Sequence, residues 1–340
     1  MGPRLLAATL LCLAGVLCAC APTPRPEEPD SLVWPAAPDA ARIAFVRAIS
    51  RSEDLGISKR FFERVYDLLF GEEERRIVRP MAIVEADGVL YVADPGAKGV
   101  HRFDPKGGDY DLIHAAGDKA LPSPVGLARG GSGEVYVTDS ALGQVFVIRP
   151  GAKEAEPLAL GAAMRQPTGI ACDPASGRLY VVDTAAHDIK LFNRDGTLAS
   201  ILGHRGVENG EFNFPTLLWR SREGLLYVTD SLNHRVQILD REGGFLAKFG
   251  RHGDGSGDQQ VQKGVATDSY GHVYVVDSLI GAFQIFDGAG KFLLSVGAQG
   301  RERGEFWLPT GIFVTENDTI YVADSYNQRI QVFRYIGGAT

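Results

Sequence analysis

Apolar residues in the body of this chain come in short runs bounded by glycine, aspartate and asparagine, and no long helical periodicity links them. One run recurs with a fixed polar end: Tyr91-Val92-Ala93-Asp94, Tyr136-Val137-Thr138-Asp139, Tyr180-Val181-Val182-Asp183, Tyr227-Val228-Thr229-Asp230, Tyr274-Val275-Val276-Asp277 and Tyr321-Val322-Ala323-Asp324. The tyrosines stand 44 to 47 residues apart. Such a period, with several short strands in each unit, marks a propeller blade. About twelve residues before each tyrosine a strand a begins, as at Pro124-Val125-Gly126, Pro167-Thr168-Gly169 and Pro309-Thr310-Gly311. The tyrosine phrase is strand b, apolar on both faces because each blade is sandwiched between neighbours. Strand c follows a tight turn, as at Val236 to Leu239, and strand d follows a glycine-rich turn, as at Phe245 to Phe249.

The sixth unit ends without a strand d, leaving an open edge that invites aggregation. Upstream of the first unit, Ile43 to Ile49 reads as a strand with no repeat of its own, and it is expected to complete the last blade. The expected fold is all-β: a six-bladed β-propeller of four-stranded antiparallel blades over residues 43–340, closed by that N-terminal strand (43–49). One short amphipathic helix is expected at 58–71, because Phe61, Val65, Leu68 and Leu69 share a face, Ser58 caps the start and Gly71 ends it.

The amino terminus adds an address. Arg4 followed by Leu5 to Leu17 reads as a signal peptide over 1–19, too short to span a bilayer. Leu17-Cys18-Ala19-Cys20 resembles the bacterial lipobox, which makes Cys20 the lipidation site. The resemblance implies a cell-envelope lipoprotein, and Ala21 after the cysteine implies the outer membrane, facing periplasm or surface. The proline-rich stretch over 20–42 is expected to be a flexible tether. Once the signal is removed, Cys172 is the only thiol left without lipid, so disulfides contribute nothing. A net charge of −7 argues against a nucleic-acid partner. A closed ring needs no mate, so a monomer is expected, held to the membrane through its lipid anchor only.

Asp230-Ser231-Leu232-Asn233-His234-Arg235-Val236-Gln237 and Asp324-Ser325-Tyr326-Asn327-Gln328-Arg329-Ile330-Gln331 resemble the NHL repeat, as do the loops Gly203 to Pro215 and Gly297 to Pro309. The likeness runs over roughly residues 76 to 336 and is sharpest in units four to six. It implies the propeller fold and leaves function open, since NHL-like propellers include adaptors, sensors and a metal-dependent peptidylglycine amidating lyase.

In a propeller the b–c turns and the d–a loops emerge on one face. There the sequence places His187 and His234 on b–c turns, and His204, Arg205, Arg251, His252, Arg301 and Arg303 on d–a loops. Trp307 lies nearby, and Arg235 and Arg329 follow the turns. Guanidinium and aromatic groups together suit an envelope protein, a peptide or a glycan. Set against that, Phe and Trp there plug gaps between blades, and charges solvate loops. His187, His204, His234 and His252 are also candidate zinc ligands, and the ring of six aspartates is a candidate calcium site. The plainer role of each aspartate is to accept N–H groups in the next turn. His101, His114 and His272 look unrelated to this face. Cys172 reads as a small buried residue, and Gly253 to Asp258 as a linker. No catalytic set and no committed cofactor emerge. The leading expectation is a non-enzymatic binding scaffold, with a metal-dependent lyase and an envelope sensor as alternatives.

Overall fold

A computed structural model describes residues 32–57, 76–117 and 119–337. The signal segment, Cys20 and the helix expected at 58–71 lie outside the described residues. Two strands open the described chain, β1 (Val33–Trp34) and β2 (Ile43–Ile49). Unit one supplies β3 (Ala82–Ala86), β4 (Val89–Asp94), β5 (Gly99–Asp104) and β6 (Asp109–Ala115). Unit two supplies β7 (Pro124–Arg129), β8 (Val135–Asp139), β9 (Gln144–Ile148) and β10 (Glu154–Pro157). Unit three has β11 (Pro167–Cys172), β12 (Leu179–Asp183), β13 (Asp188–Phe192) and β14 (Leu198–Leu202). Unit four has β15 (Pro215–Arg220), β16 (Leu226–Asp230), β17 (Arg235–Leu239) and β18 (Phe245–Phe249). Unit five has β19 (Gln262–Thr267), β20 (Val273–Asp277), β21 (Ala282–Phe286) and β22 (Phe292–Val296). Unit six has β23 (Pro309–Val314), β24 (Thr319–Asp324) and β25 (Arg329–Tyr335).

Units three, four and five are separate four-stranded antiparallel sheets in chain order. In unit six β2 pairs antiparallel with β25, giving the order β1-β2-β25-β24-β23. Ile43 and Ile49 are buried at the two ends of β2, and Phe45 meets Phe333 edge-on at 5.7 Å. Trp34 packs edge-on against the same ring, also at 5.7 Å. Val33–Trp34 falls inside the stretch 20–42 expected to be a tether, and there it pairs with Ala44 and Ile43. Units one and two depart from the separate four-stranded pattern: β10 keeps only Glu156 and Pro157 against β9, while Glu154 and Ala155 pair parallel with His114 and Ala115 of β6. The short strand d of unit two thereby joins two units into one eight-stranded sheet.

Strand b is buried on both faces in units three to five, as the repeat predicts. Tyr180, Val182 and Ile189 of unit three pack with Phe212, Leu218 and Val228 around unit four, so the core lies between neighbouring sheets. The first strands β3, β7, β11, β15, β19 and β23 lie side by side in that order, and β23 also lies against β3. Their approach explains the strand-a glycine. A Cβ on Gly126 would sit 2.0 Å from the Thr168 carbonyl oxygen, and one on Gly311 would sit 2.5 Å from that of Met81.

A second staple follows strand b in units two to six. The hydroxyl after the aspartate donates to the first carbonyl of the next strand a: Ser140 to Pro167 (2.6 Å), Thr184 to Pro215 (2.7 Å), Ser231 to Gln262 (2.8 Å) and Ser278 to Pro309 (2.5 Å). Ser325 donates likewise to Pro80, from the last unit to the first. Unit one has Pro95 at this position and so has no hydroxyl to offer.

Candidate functional site

The aspartates that close strand b are buried. Each accepts backbone N–H groups from the d–a loop, and Asp94, Asp139 and Asp277 accept them from the following turn as well. Asp94 accepts from Val78, Arg79 and Ala97, and Asp139 from Ser123, Ala141 and Leu142. These carboxylates tie the loop entering the unit to the turn leaving strand b, and Asp230 and Asp324 do so through the Asn233 and Asn327 side chains. Seven residues on, strand c sends it a side chain: His101 to Asp94 (3.2 Å), Lys190 to Asp183 (2.8 Å), Gln237 to Asp230 (3.2 Å) and Gln331 to Asp324 (3.1 Å). Burial works against ionisation of Asp94 and Asp183. The contacts with His101 and Lys190, together with the backbone N–H donors, outweigh it, and both carboxyls fall below the ordinary 3.8. His101 is therefore part of this network, against the expectation that it stands apart.

The same network accounts for the Asn-His-Arg phrase. Arg235 is buried, with Nε 2.8 Å from Asp230 and its terminal nitrogens donating to the carbonyls of Val207, Glu208 and Glu211. Arg329 repeats the pattern on Asp324 and the carbonyls of Glu302 and Glu305. Asn233 and Asn327 bridge the carboxylates to the Gly206 and Gly300 carbonyls. Both arginines were expected to face a ligand; instead their donors are spent on holding the d–a loop. The residue between Asn and Arg takes a left-handed backbone, φ 52° at His234 and 56° at Gln328, and His187 occupies the equivalent place at φ 61°. Its side chain reaches the next unit's loop. His187 Nδ1 accepts from the Phe214 N–H (3.1 Å), and His234 Nδ1 donates to the Gln260 carbonyl (2.8 Å).

Of the remaining residues expected on this face, His204 lies 3.2 Å from Glu211, and Arg251 Nε lies 2.5 Å from Asp258. His252 meets His234 ring to ring at 4.4 Å. Arg301 stacks over Trp307 at 4.4 Å, while Arg205, Arg301 and Arg303 are exposed. The four histidines do not converge: His187 packs on Phe214, His204 pairs with Glu211, and only His234 and His252 touch. Among the described residues, no three His, Cys, Asp or Glu side chains are grouped to hold a metal ion.

A large recess lies at the other end of the strands. A cavity of about 920 Å³ is lined by the first strands of all six units and by their a–b turns. One wall is aromatic. Trp219 of unit four meets Phe313 of unit six edge-on at 5.6 Å, in front of Ala266 of unit five, and its Nε1 donates to Thr267. On the side of units two and three the equivalent positions are Ala128 and Ala171, so the space opens there.

The rim of the cavity is charged. Arg129 lies 3.1 Å from Asp87 and 3.7 Å from Glu316, and Arg222 donates to the Glu316 carbonyl at 2.6 Å. Arg220 pairs with Asp173 at 3.0 Å. Cys172 also lines the space; burial, with Glu134 and Asp173 nearby, pushes its thiol up to about 12. None of these residues is prominent in the sequence. The usable signal is the register of the six units: the end of strand a is where they differ most, with Val84, Ala128, Ala171, Trp219, Ala266 and Phe313 at one aligned position.

Comparison with known proteins bears on the frame. The family model for the NHL repeat matches residues 306–333. Peptidyl-glycine alpha-amidating monooxygenase of Mus musculus is 29% identical over 119 residues, covering 31% of this chain and 12% of that protein. The chain thus spans only a small part of the curated relatives it matches. Among solved structures, an auxiliary nutrient binding protein from Bacteroides thetaiotaomicron aligns with a TM-score of 0.61 at 12% identity, over 78% of this chain and 71% of that one. Virginiamycin B lyase from Staphylococcus aureus aligns with a TM-score of 0.55 at 15% identity, over 76% and 96%. At such identities the structures share a fold and nothing finer. Sheets of antiparallel strands around side-by-side first strands, the repeated Asp-Asn-Arg-Gln network and the matched repeat give one conclusion: this chain is a β-propeller that carries an NHL repeat over residues 306–333.

Proposed function

We propose that this protein is a non-enzymatic binding scaffold: a six-bladed ring, completed in its last blade by β2, carried on the cell envelope by a lipid anchor at Cys20. Its ligand seats in the cavity at the a–b end of the channel. The observation that carries this reading is the roughly 920 Å³ recess with an aromatic wall and a charged rim, to which all six units contribute. Recesses of that size with a few convergent polar groups are the usual form of a small-molecule or peptide site. The nutrient binding protein among the structural neighbours is in keeping with it. The opposite end spends its distinctive Asn, Arg and Gln side chains on its own loops. Native mass spectrometry of the detergent-purified protein tests the reading. A retained small molecule is expected, lost in Trp219→Ala and kept in the double variant Arg205→Ala, His252→Ala; the reverse pattern moves the site to the b–c face.

A metal-dependent lyase is the second reading, favoured by the partial match to the amidating monooxygenase and by the contact between His234 and His252. Its check is metal analysis after chelator washing and reloading. Stoichiometric zinc that disappears in His187→Ala and His234→Ala variants supports the lyase over the scaffold.

A further inference from the structure

One position on the first strands carries a charge where its counterparts carry none. In units three, four and six this position is a threonine whose hydroxyl is used locally. Thr168 donates to the Thr216 carbonyl at 2.6 Å, Thr216 lies 2.8 Å from the Ser231 hydroxyl, and Thr310 lies 2.9 Å from that of Ser325. Units one and two have Met81 and Val125 there, and unit five has Lys263. The backbone of Lys263 is held between its neighbours. Thr229 of unit four donates to its carbonyl at 2.9 Å, and a Cβ on the next residue, Gly264, would lie 2.7 Å from the Thr310 carbonyl oxygen of unit six.

Its side chain has nothing to bind. Among the described residues the other lysines are exposed, apart from Lys190, which is buried and held by Asp183 and Asp188 at 2.8 Å each. Lys263 is half-buried, and its Nζ has no hydrogen-bond or ion-pair partner, yet that atom is not sealed from solvent. The carboxylates nearest in its own unit are taken: Asp277 accepts the Gln260, Val261 and Leu279 N–H groups, and Asp258 pairs with Arg251. Burial alone lowers the lysine's pKa, with no neighbouring charge of either sign contributing. An ammonium drawn partly out of water without a counter-charge is unfavourable, and an anion entering the same space relieves it. Threonine serves at this position in three other units, so joining the units does not require the cation.

We propose that Lys263 is an anion-binding residue: the channel at the start of β19 takes a ligand bearing a carboxylate or phosphate group, whose oxygen accepts from Nζ. Of the six aligned positions this is the one with a charge, so the site selects for the ligand's charge and not for its shape. It is separate from the cavity, whose lining on β19 begins one residue further on, at Gly264, and it does not rest on the cavity being a ligand site.

The test is NMR titration of the full-length protein, carrying isotope-labelled lysine, with sodium acetate, with inorganic phosphate and with acetamide, the neutral isostere of acetate. The Lys263 signal is assigned by its loss in Lys263→Thr, which installs the residue of units three, four and six, and again in Lys263→Gln. That signal is expected to shift saturably with acetate, phosphate or both, half-saturating at a concentration at least about tenfold below any response of exposed Lys248, as a charge-assisted hydrogen bond requires. Acetamide leaves it in place. Saturation by acetate alone assigns a carboxylate ligand, and by phosphate alone a phosphate ligand. A drift in parallel with Lys248, or an equal response to acetamide, overturns the anion site. Neither result bears on the cavity, which is decided separately by whether a retained molecule is lost in Trp219→Ala.

Discussion

The Ser325 hydroxyl donates to the Pro80 carbonyl across a sequence separation of 245 residues. It is the same bond that Ser278 makes to Pro309 and Thr184 to Pro215, between units that follow one another in the chain. The last unit therefore holds the first as units two to five each hold the next. In the reading proposed above, this bond and the β2–β25 pairing act together to shut the ring.

If so, Ser325→Ala weakens the whole protein and not one edge of it. A loss of about 1 kcal/mol is expected for one buried hydrogen bond of this kind. Ser278→Ala should cost a similar amount, both read as a lower urea midpoint in a single transition. Two separated transitions in Ser325→Ala would mean that the units are not coupled through this contact.

Arg235 separates loop-holding from recognition. Arg235→Ala leaves the buried Asp230 carboxylate without its cation and takes the guanidinium donors from the Val207 and Glu208 carbonyls, while Glu211 keeps Gln237, and a loss of roughly 3–5 kcal/mol follows. Arg205→Ala, on the exposed part of the same loop, should stay within about 0.5 kcal/mol of wild type. Denaturant titration checks both, and near-equal stability of the two variants would contradict the structural role given to Arg235.

The Asp268–His272 pair, 2.7 Å apart, makes stability fall on the alkaline side. The hydrogen bond to Asp268 raises His272 above its ordinary 6.5 although burial opposes it, so its contribution is complete below that value and is lost as pH rises through the folded pKa. Asp268 has the opposite sign. Burial resists its ionisation, but His272 and Tyr274 hold it below 3.8, so its contribution is present above 3.8 and disappears as pH falls through the lower folded value. Urea midpoints from pH 6 to 9 should decline in the wild type and lose that part of the decline in His272→Gln.

Cys172 should be chemically silent while the protein is folded. With its thiol pushed up to about 12 and its side chain buried, iodoacetamide at pH 8 is expected to leave it unmodified. Modification should appear together with global unfolding in urea, followed by mass spectrometry. Rapid labelling in buffer would show a more open cavity than the one described.

Much of this architecture was legible in the residues because it recurs. The tyrosine phrase marks strand b, the proline and glycine mark strand a, and the missing last strand points to Ile43–Ile49, which pairs with Arg329–Tyr335. What could not be read is where conspicuous polar residues spend their bonds. Arg235 and Arg329 resemble ligand-binding arginines until the carbonyls of the preceding loop, 24 to 28 residues earlier, are seen around them. His101 looked incidental because its partner, Asp94, lies across a turn on the neighbouring strand. The cavity was hidden for a converse reason: Trp219 and Phe313 belong to units four and six, and their contact depends on the small Ala266 of the unit between. The parallel pairing of β10 with β6 has no counterpart in the repeat pattern, because it arises where one strand d falls short.

The chain contains three tryptophans, and they stand at three informative places: Trp34 on β2's sheet, Trp219 in the cavity wall and Trp307 at the b–c end. Fluorine NMR of protein labelled with 5-fluorotryptophan, titrated with the small-molecule fraction of an envelope extract, therefore locates a ligand directly. The account predicts that the Trp219 resonance moves while those of Trp307 and Trp34 stay in place. Movement of Trp307 with Trp219 unchanged would contradict it.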